Sequence, residues 1–409
     1  MRILVLSQYF WPENFRINDV VLGLVERGHA VTVYTGLPNY PGGRYFPGYS
    51  LRGPYRERFH GADVRRAPLI PRGSGHGFRL ALNYASHALS ASLLAPFQIP
   101  KAIDAILVYE PSPITIGIPA RTIKWMKCAP IAFWVQDLWP QSLSAAGAIN
   151  NRIILEVAEK ITQWIYRGCD RLLVQSQAFV EQVVAQGVPR ARIAYLPNSA
   201  ETFYRRQPRT GPVGRNGGLP EGFRVIFAGN LGAAQDLPTV IAAAEKLRAQ
   251  RDIHWILIGD GRMRPWVEDE IRARGLRETV HLLGSRPPES MPGYFAQADV
   301  LLATLRREPI FAYTIPSKIQ SYLACGKPLI AALEGEGARI IHEAGAGWSV
   351  PPEDPDALAR TVLAASRLTE QEFEAMGSRG EAFFMKNFER EMLLSRLENV
   401  LSEMTGERQ

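Results

Sequence analysis

The chain has 409 residues, of which 46% are hydrophobic and 21% charged, with a formal net charge of +7. That balance excludes a disordered chain and leaves apolar material for two cores, so two or three domains are expected. Three widely spaced cysteines and seven scattered histidines show no metal-ligand spacing, which fits a reducing, cytoplasmic compartment.

From the amino terminus, Arg2–Ser7 reads as a buried strand, and an amphipathic helix begins at Asn18. The stretch between them, "QYFWPENFR" from Gln8 to Arg16, holds aromatics, one carboxylate and one guanidinium. A phosphate-binding strand-to-helix turn would carry glycines instead. Further strands are expected at His29–Thr35, Ala105–Tyr109, Pro130–Trp134, Arg171–Val174 and Ile193–Tyr195.

Between Arg44 and Arg79 lie eight arginines against two acids, Glu57 and Asp63. This segment is either a solvated surface loop or an electrostatic footprint for anionic lipid or a diphosphate group. No recognition module accompanies it, which argues against nucleic acid. The uncharged stretch between Arg79 and Lys101 is too polar and broken to span a membrane, given Asn83, His87, Pro96 and Pro100. It reads as a helix packed in the first domain, or as one with a face that meets lipid.

The stretch 205–222 holds five glycines and three prolines and reads as a linker. Beyond it the alternation resumes, with strands at Phe223–Ala228, His254–Ile258, Val280–Leu283, Val300–Ala303, Leu329–Ala331 and Gly347–Val350. Helices are expected at Leu237–Gln250, Arg264–Arg274 and Pro316–Ala324. The chain therefore reads as an α/β protein of two doubly wound domains, whose sites lie beyond the carboxyl ends of the strands. The boundaries are 1–204, the linker 205–222, 223–386, and a terminal helix over 387–409.

Chemistry concentrates in the second half. In "FAGNLGAAQDLPTV" a strand ends at Gly229, and a glycine-bearing turn through Asn230, Gly232 and Gln235 leads into a helix. Backbone N–H groups in such a turn can hold phosphate. "IGDGR" and "LLGSR" repeat the arrangement at Gly259 and Gly284. Glu308, Ser317 and Lys318 then precede or open a helix. A lysine in the first helical turn opposes the helix dipole, and a bound anion would remove that conflict.

G-N-L-G-x-A-Q, G-D-G, L-G-S and P-S-K-x-x-x-Y-x-A-x-G-K-P-L-I, in that order, resemble the nucleotide-binding half of a family 4 retaining glycosyltransferase. "SQYFWPENFRINDV", "ERGHAVTVYTGLPNYPGGRYFPGY" and "WVQDLWPQSL" resemble a subgroup in bacterial surface-polysaccharide assembly, which includes the colanic-acid and fucosamine-type transferases. The resemblance runs from Arg2 to about Asn387. It implies a GT-B fold: two Rossmann-like domains facing across a cleft, with a C-terminal helix crossing back to the first. It implies no metal, and Asp354 and Asp356 in "EDPDALA" read as a helix cap.

Transfer is then expected from a nucleoside diphosphate sugar to a polyprenyl-diphosphate-linked saccharide, by a peripheral protein at the cytoplasmic face of the inner membrane. Gly229, Asn230, Gln235, Gly284, Glu308, Ser317 and Lys318 are the candidate donor-binding residues. Asp137, Glu110 and Arg16 are the candidate catalytic residues, Arg16 serving the leaving diphosphate. Trp11, Glu13, Asn14 and Trp139 are the candidate acceptor contacts. The sequence departs from the wider family at several positions. Asn230 and Gln235 stand where an arginine and a lysine are common, and Gln136 where a histidine often precedes the aspartate. Tyr313 and Ser321 replace a Glu-x7-Glu pair. A nucleotide-sugar 2-epimerase and a two-lobed solute binder are the competing readings. The first converts donor without acceptor, and the second would carry an export signal, whereas the apolar run after Arg2 is too short for one.

Overall fold

The structure, a computed structural model, describes residues 1–73, 77–145, 151–209 and 219–406. It divides into two units, Met1–Pro197 with the segment from Glu391 onward, and Asn198–Arg390. Half of the expected linker, residues 210–218, lies outside the described residues.

The first unit runs β1 (Arg2–Leu6), α1 (Ile17–Glu26), β2 (Ala30–Gly36), β3 (Arg56–Phe59), β4 (Ala62–Ala67), α2 (Gly77–Gln98), β5 (Ala105–Glu110), α3 (Gly117–Lys127), β6 (Ile131–Val135), α4 (Gln141–Ala145), α5 (Arg152–Arg167), β7 (Arg171–Val174), α6 (Ala178–Ala185) and β8 (Ile193–Tyr195). Its strands form one sheet in the order β3-β4-β2-β1-β5-β6-β7-β8, parallel except for the β3–β4 hairpin. Strands β5 and β6 are buried along their whole length, which is why they read as unbroken apolar runs.

The second unit runs β9 (Phe223–Ala228), α7 (Leu237–Lys246), β10 (Ile253–Ile258), α8 (Arg264–Ala273), β11 (Val280–Gly284), α9 (Met291–Ala296), β12 (Val300–Thr304), α10 (Pro309–Tyr313), α11 (Ser317–Ala324), β13 (Leu329–Ala332), α12 (Glu336–Ala344), β14 (Gly347–Val350), α13 (Pro355–Ala365) and α14 (Glu370–Asn387). Its all-parallel sheet has the order β11-β10-β9-β12-β13-β14. Asp354 accepts the Ala357 amide as N-cap of α13, and a Thr369–Glu372 capping box opens α14.

A last helix, α15 (Arg390–Thr405), packs on the first unit. Its Leu393, Leu397 and Leu401 join Ile17, Val21 and Leu24 of α1 in one buried cluster. Fully burying such side chains is worth about 1.5–3 kcal/mol each. Arg27 pairs with Glu391 and Glu398, and His29 lies 2.7 Å from Glu398, so the helix is also held at its polar edge.

The arginine-rich segment corrects the expectation of a loop. It contains the hairpin β3–β4, and three of its eight arginines, Arg65, Arg66 and Arg72, are engaged within the fold while the other five stay exposed. Arg66 is fully buried, pairs with Glu57, and donates to the carbonyls of Gly36 (3.0 Å) and Trp11 (2.6 Å). Arg65 pairs with Asp63, and Arg72 lies 4.8 Å over the Tyr40 ring. Charged strands are ordinary at a sheet edge, where they discourage pairing with other chains. Their polarity hid them from a reading based on hydrophobic runs.

Candidate active site

In the second unit the glycine turns at the carboxyl ends of β9, β10 and β11 stack on one another. The Gly229 amide bonds to the Ile258 carbonyl (2.9 Å), and the Gly259 amide to the Gly284 carbonyl (3.0 Å). Gly229, Gly259, Gly261 and Gly284 all have positive φ, at 137°, 144°, 159° and 70°. Only glycine enters these conformations cheaply. A Cβ on Gly259 would stand 1.9 Å from the Gly229 carbonyl oxygen, so the turns stack backbone on backbone.

Lys318, the second residue of α11, reaches into this stack. Its ammonium hydrogen-bonds the Gln235 side-chain oxygen and lies 3.5 Å from the centre of the Phe227 ring. A Cβ on Gly229 would be 2.8 Å from Lys318 Cε. Burial holds the Lys318 pKa well below the usual lysine range. Gly229, Asn230, Gln235 and Lys318 are therefore brought together, with Gly284 supporting Gly259 from behind. Tyr322 fixes the arrangement from α11, accepting the Ala228 amide at 3.2 Å.

Glu308 is the N-cap residue of α10, and Ser317 opens α11 on the surface. Among the described residues no hydrogen bond or ion pair engages the Glu308 carboxylate. The sequence reading missed Phe227, the aromatic floor under Lys318, because it looked like one more core residue of an apolar strand.

In the first unit, Glu110 ends β5 and Asp137 follows β6, so the two carboxyls emerge from adjacent parallel strands. Burial pushes the Asp137 carboxyl up to about 6, against the facing Ser142 hydroxyl and Leu138 amide, which favour its charge. Glu110 is raised well above the usual carboxylate range, first by burial and then by the charge of Asp137. It is 0% exposed, and neither carboxyl oxygen makes a hydrogen bond of good geometry. This corrects its expected catalytic contact: the Glu110 side chain is enclosed in protein and offers no exposed oxygen to a ligand.

Two acceptor candidates, Glu13 and Trp139, also change. Glu13 is 2% exposed, and its carboxylate accepts the amides of Asn39 (2.7 Å), Tyr40 (2.7 Å) and Phe10 (3.2 Å). It ties the opening loop to the loop after β2 and has no oxygen free for a sugar. Glu13→Ala should therefore cost about 1–3 kcal/mol, read as a lowered melting temperature, because two buried amides and one part-buried amide lose their acceptor. A melting curve matching the wild type would contradict that assignment.

Trp139 is buried, edge-on to Tyr84 at 6.2 Å, rather than an open stacking platform. Of the opening aromatics, Tyr9 and Phe10 are buried and Tyr9 stacks on Phe15 at 5.1 Å. Trp11 remains 37% exposed although it packs on Phe59. Asn14 is exposed, and Arg16, at the N-cap of α1, has no side-chain partner among the described residues. The opening stretch is thus mostly a packed plug, with Trp11, Asn14 and Arg16 at its surface. Tyr84, facing Ser112, Tyr9 and Asp137, was not anticipated, since it sits in the uncharged stretch read as a packing helix.

Comparison with known proteins decides the family. The "Glycosyl transferase 4-like domain" family matches residues 14–199, and "Glycosyl transferases group 1" matches residues 222–367. The chain belongs to the family 4 glycosyltransferases. It is 28% identical over 266 residues to a probable glycosyltransferase, WbjE, of Pseudomonas aeruginosa, a match spanning 62% of this chain and 63% of that relative. It is 25% identical over 379 residues to a putative colanic acid biosynthesis glycosyl transferase, WcaI, of Escherichia coli, spanning 89% and 92%.

Among solved structures, Anabaena HepE in complex with UDP superposes with a TM-score of 0.71 at 16% identity, covering 98% of this chain and all of HepE. Sucrose-phosphate synthase from Thermosynechococcus elongatus gives 0.75 at 15% identity, with both chains fully covered. The fold of this glycosyltransferase is therefore GT-B, each unit being one of its Rossmann-like domains.

Proposed function

We propose that this glycosyltransferase moves a sugar, with retention of anomeric configuration and without a metal, from a nucleoside diphosphate donor to a polyprenyl-diphosphate-linked saccharide of a bacterial surface polysaccharide. The work is placed at the cytoplasmic face of the inner membrane. The observation that carries the donor assignment is Lys318, a partly buried ammonium set against the Gly229 turn, the first of three stacked glycine turns. The UDP bound to HepE supports the same ligand class.

In such a transfer the protein must stabilise the charge that develops as the diphosphate leaves, which falls to cations and backbone amides. Lys318, the 229–235 turn and Ser317 at the start of α11 are assigned to that role, and Gln235 to holding Lys318 in place when no donor is bound. The lysine common at position 235 in the wider family is here replaced in space by one from α11. Arg16 is the proposed second cation. Asp137 and Glu308 are assigned to sugar hydroxyls or the positively charged sugar ring.

A thermal-shift screen of nucleoside diphosphate sugars tests the donor class, since a ligand at 100 times its Kd adds about 2.7 kcal/mol of stability. One or a few donors are expected to raise the melting temperature, with the matching bare nucleosides having little effect. No shift with any donor, or equal shifts with nucleosides, would count against the proposal.

A further inference from the structure

We propose that the outer face built by α2, α3 and α5 is the surface through which the protein lies on an anionic phospholipid bilayer. This rests on the reading that the acceptor is lipid-linked, and names the part of the molecule that meets the lipid.

The connections β4–α2–β5, β5–α3–β6 and β6–α5–β7 all step the same way along the sheet. Right-handed crossovers therefore put the three helices side by side on one face, while α1 steps the opposite way and packs with α15 on the other. The inward sides of these helices are buried, as at Ala88, Ala91, Ala95, Ile123 and Ile165. Their outward sides are unusually apolar. Leu89, Leu93 and Phe97 follow one another at intervals of four residues along α2 and are 63%, 64% and 79% exposed. Trp125 of α3 is 83% exposed, and Trp164 of α5 is 47% exposed.

The charge on the same helices selects the occupant. Arg79, Arg121, Lys124, Lys127, Arg152, Lys160 and Arg167 stand against Glu156 and Glu159 alone. Lys124 pairs with Asp170 and Arg152 with Glu156, and Arg121 lies over the Trp164 ring at 3.8 Å. Lys127, Lys160 and Arg167 are left without an acidic partner among the described residues. Exposed tryptophan, phenylalanine and leucine fringed by lysine and arginine match the boundary between acyl chains and anionic headgroups. No described helix is long and apolar enough to cross a membrane, so the contact is one of lying on it. The hairpin segment also exposes Arg44, Arg52, Arg56 and Arg58, but it is the weaker candidate, since most of the exposed large apolar side chains lie on α2, α3 and α5.

Flotation with vesicles of phosphatidylglycerol or of phosphatidylcholine, at low and high salt, tests this without any sugar substrate. It therefore stands or falls separately from the transfer reaction. Wild type is expected to float with the anionic vesicles, less so at high salt, with a blue shift of tryptophan emission. Leu93→Glu/Phe97→Glu/Trp125→Glu should lower partitioning by at least about tenfold, since it exchanges apolar contacts for repelled charges. These side chains are exposed, and an unchanged melting temperature will confirm that the variant folds. Arg52→Glu/Arg56→Glu/Arg58→Glu, on and beside the hairpin, should keep most of the partitioning. Wild type remaining soluble with both lipids, the first variant floating normally, or the hairpin variant losing the binding instead would each overturn the proposal. So would a dimer in solution that the first variant breaks, because the face would then be covered by a second copy.

Discussion

Replacing Lys318 by methionine is expected to weaken nucleoside diphosphate binding by about 10- to 150-fold while leaving the unliganded protein as stable as before or more so. The first number follows from losing one charge-assisted contact, worth roughly 1.5–3 kcal/mol. The second follows from where the ammonium sits. It is drawn out of water over Phe227, its pKa is depressed, and it opposes the dipole of α11. Methionine keeps the contact with the ring and removes the desolvated charge.

Because the folded pKa lies below that of the unfolded chain, the unfolded state binds more protons in the window between the two. Lysine 318 alone thus makes the wild type more stable as pH rises through that window, a slope the methionine variant should lack. An arriving diphosphate favours the charged form, so binding at alkaline pH should take up a proton in wild type but not in the variant. Calorimetric titration in buffers of different ionisation enthalpy reads this directly. Unchanged diphosphate affinity in the variant, or an equal loss for the bare nucleoside, would show that Lys318 is not the phosphate ligand.

Asp137→Asn is expected to lower kcat by roughly 10²-fold or more, the cost of removing one well-placed electrostatic group, without loss of fold. Burial raises the Asp137 carboxyl to about 6. A carboxyl whose folded pKa lies above its unfolded value contributes stability that is full below the unfolded value and lost as pH rises through the folded one. Ionised Asp137 is thus a burden at pH 8, and the asparagine variant should melt higher there, by up to roughly 3 kcal/mol in stability. At pH 4 the difference should be much smaller. If the ionised form serves the sugar, wild-type kcat/KM should fall off below about pH 6, and the variant should lack that limb. Glu110→Gln, which imitates the neutral acid its burial favours, should retain activity and leave the acid limb of Asp137 where it is in wild type. An unstable Asp137→Asn protein with normal turnover per folded molecule would refute the functional role.

The fold was legible where burial and periodicity agree. Strands β5, β6, β9 and β10 are buried along most or all of their length, and their apolar runs place them within a residue or so. The β3–β4 hairpin was not legible, because its burial depends on an arginine, and a sequence does not reveal that Arg66 finds Glu57 and two carbonyls. The donor-side turn was readable from its glycines and from the misplaced charge of Lys318. The partner of that charge was not, since Gln235 lies 83 residues away in the chain.

On the first unit the chemistry of residue types misled. Glu13 and Glu110 look like ligand groups in a sequence, yet one is spent on three backbone amides and the other is fully buried. A carboxylate after a strand has an identity but no accessibility until the neighbouring loops are in place. The aromatic opening stretch divides the same way, into a packed Tyr9–Phe10 plug, an exposed Trp11 and Asn14, and a half-buried Arg16.

The most direct test of the account is the product of the reaction itself. Purified protein is incubated with the donor found by the thermal-shift screen, with and without a polyprenyl-diphosphate-linked saccharide, in the presence of a metal chelator. The anomeric configuration of the new linkage is then read by proton NMR. The account predicts a saccharide one sugar longer, joined with the donor's own anomeric configuration, and formed only when acceptor is present. An inverted linkage, a requirement for metal, or a donor changed at C2 without any acceptor would contradict it.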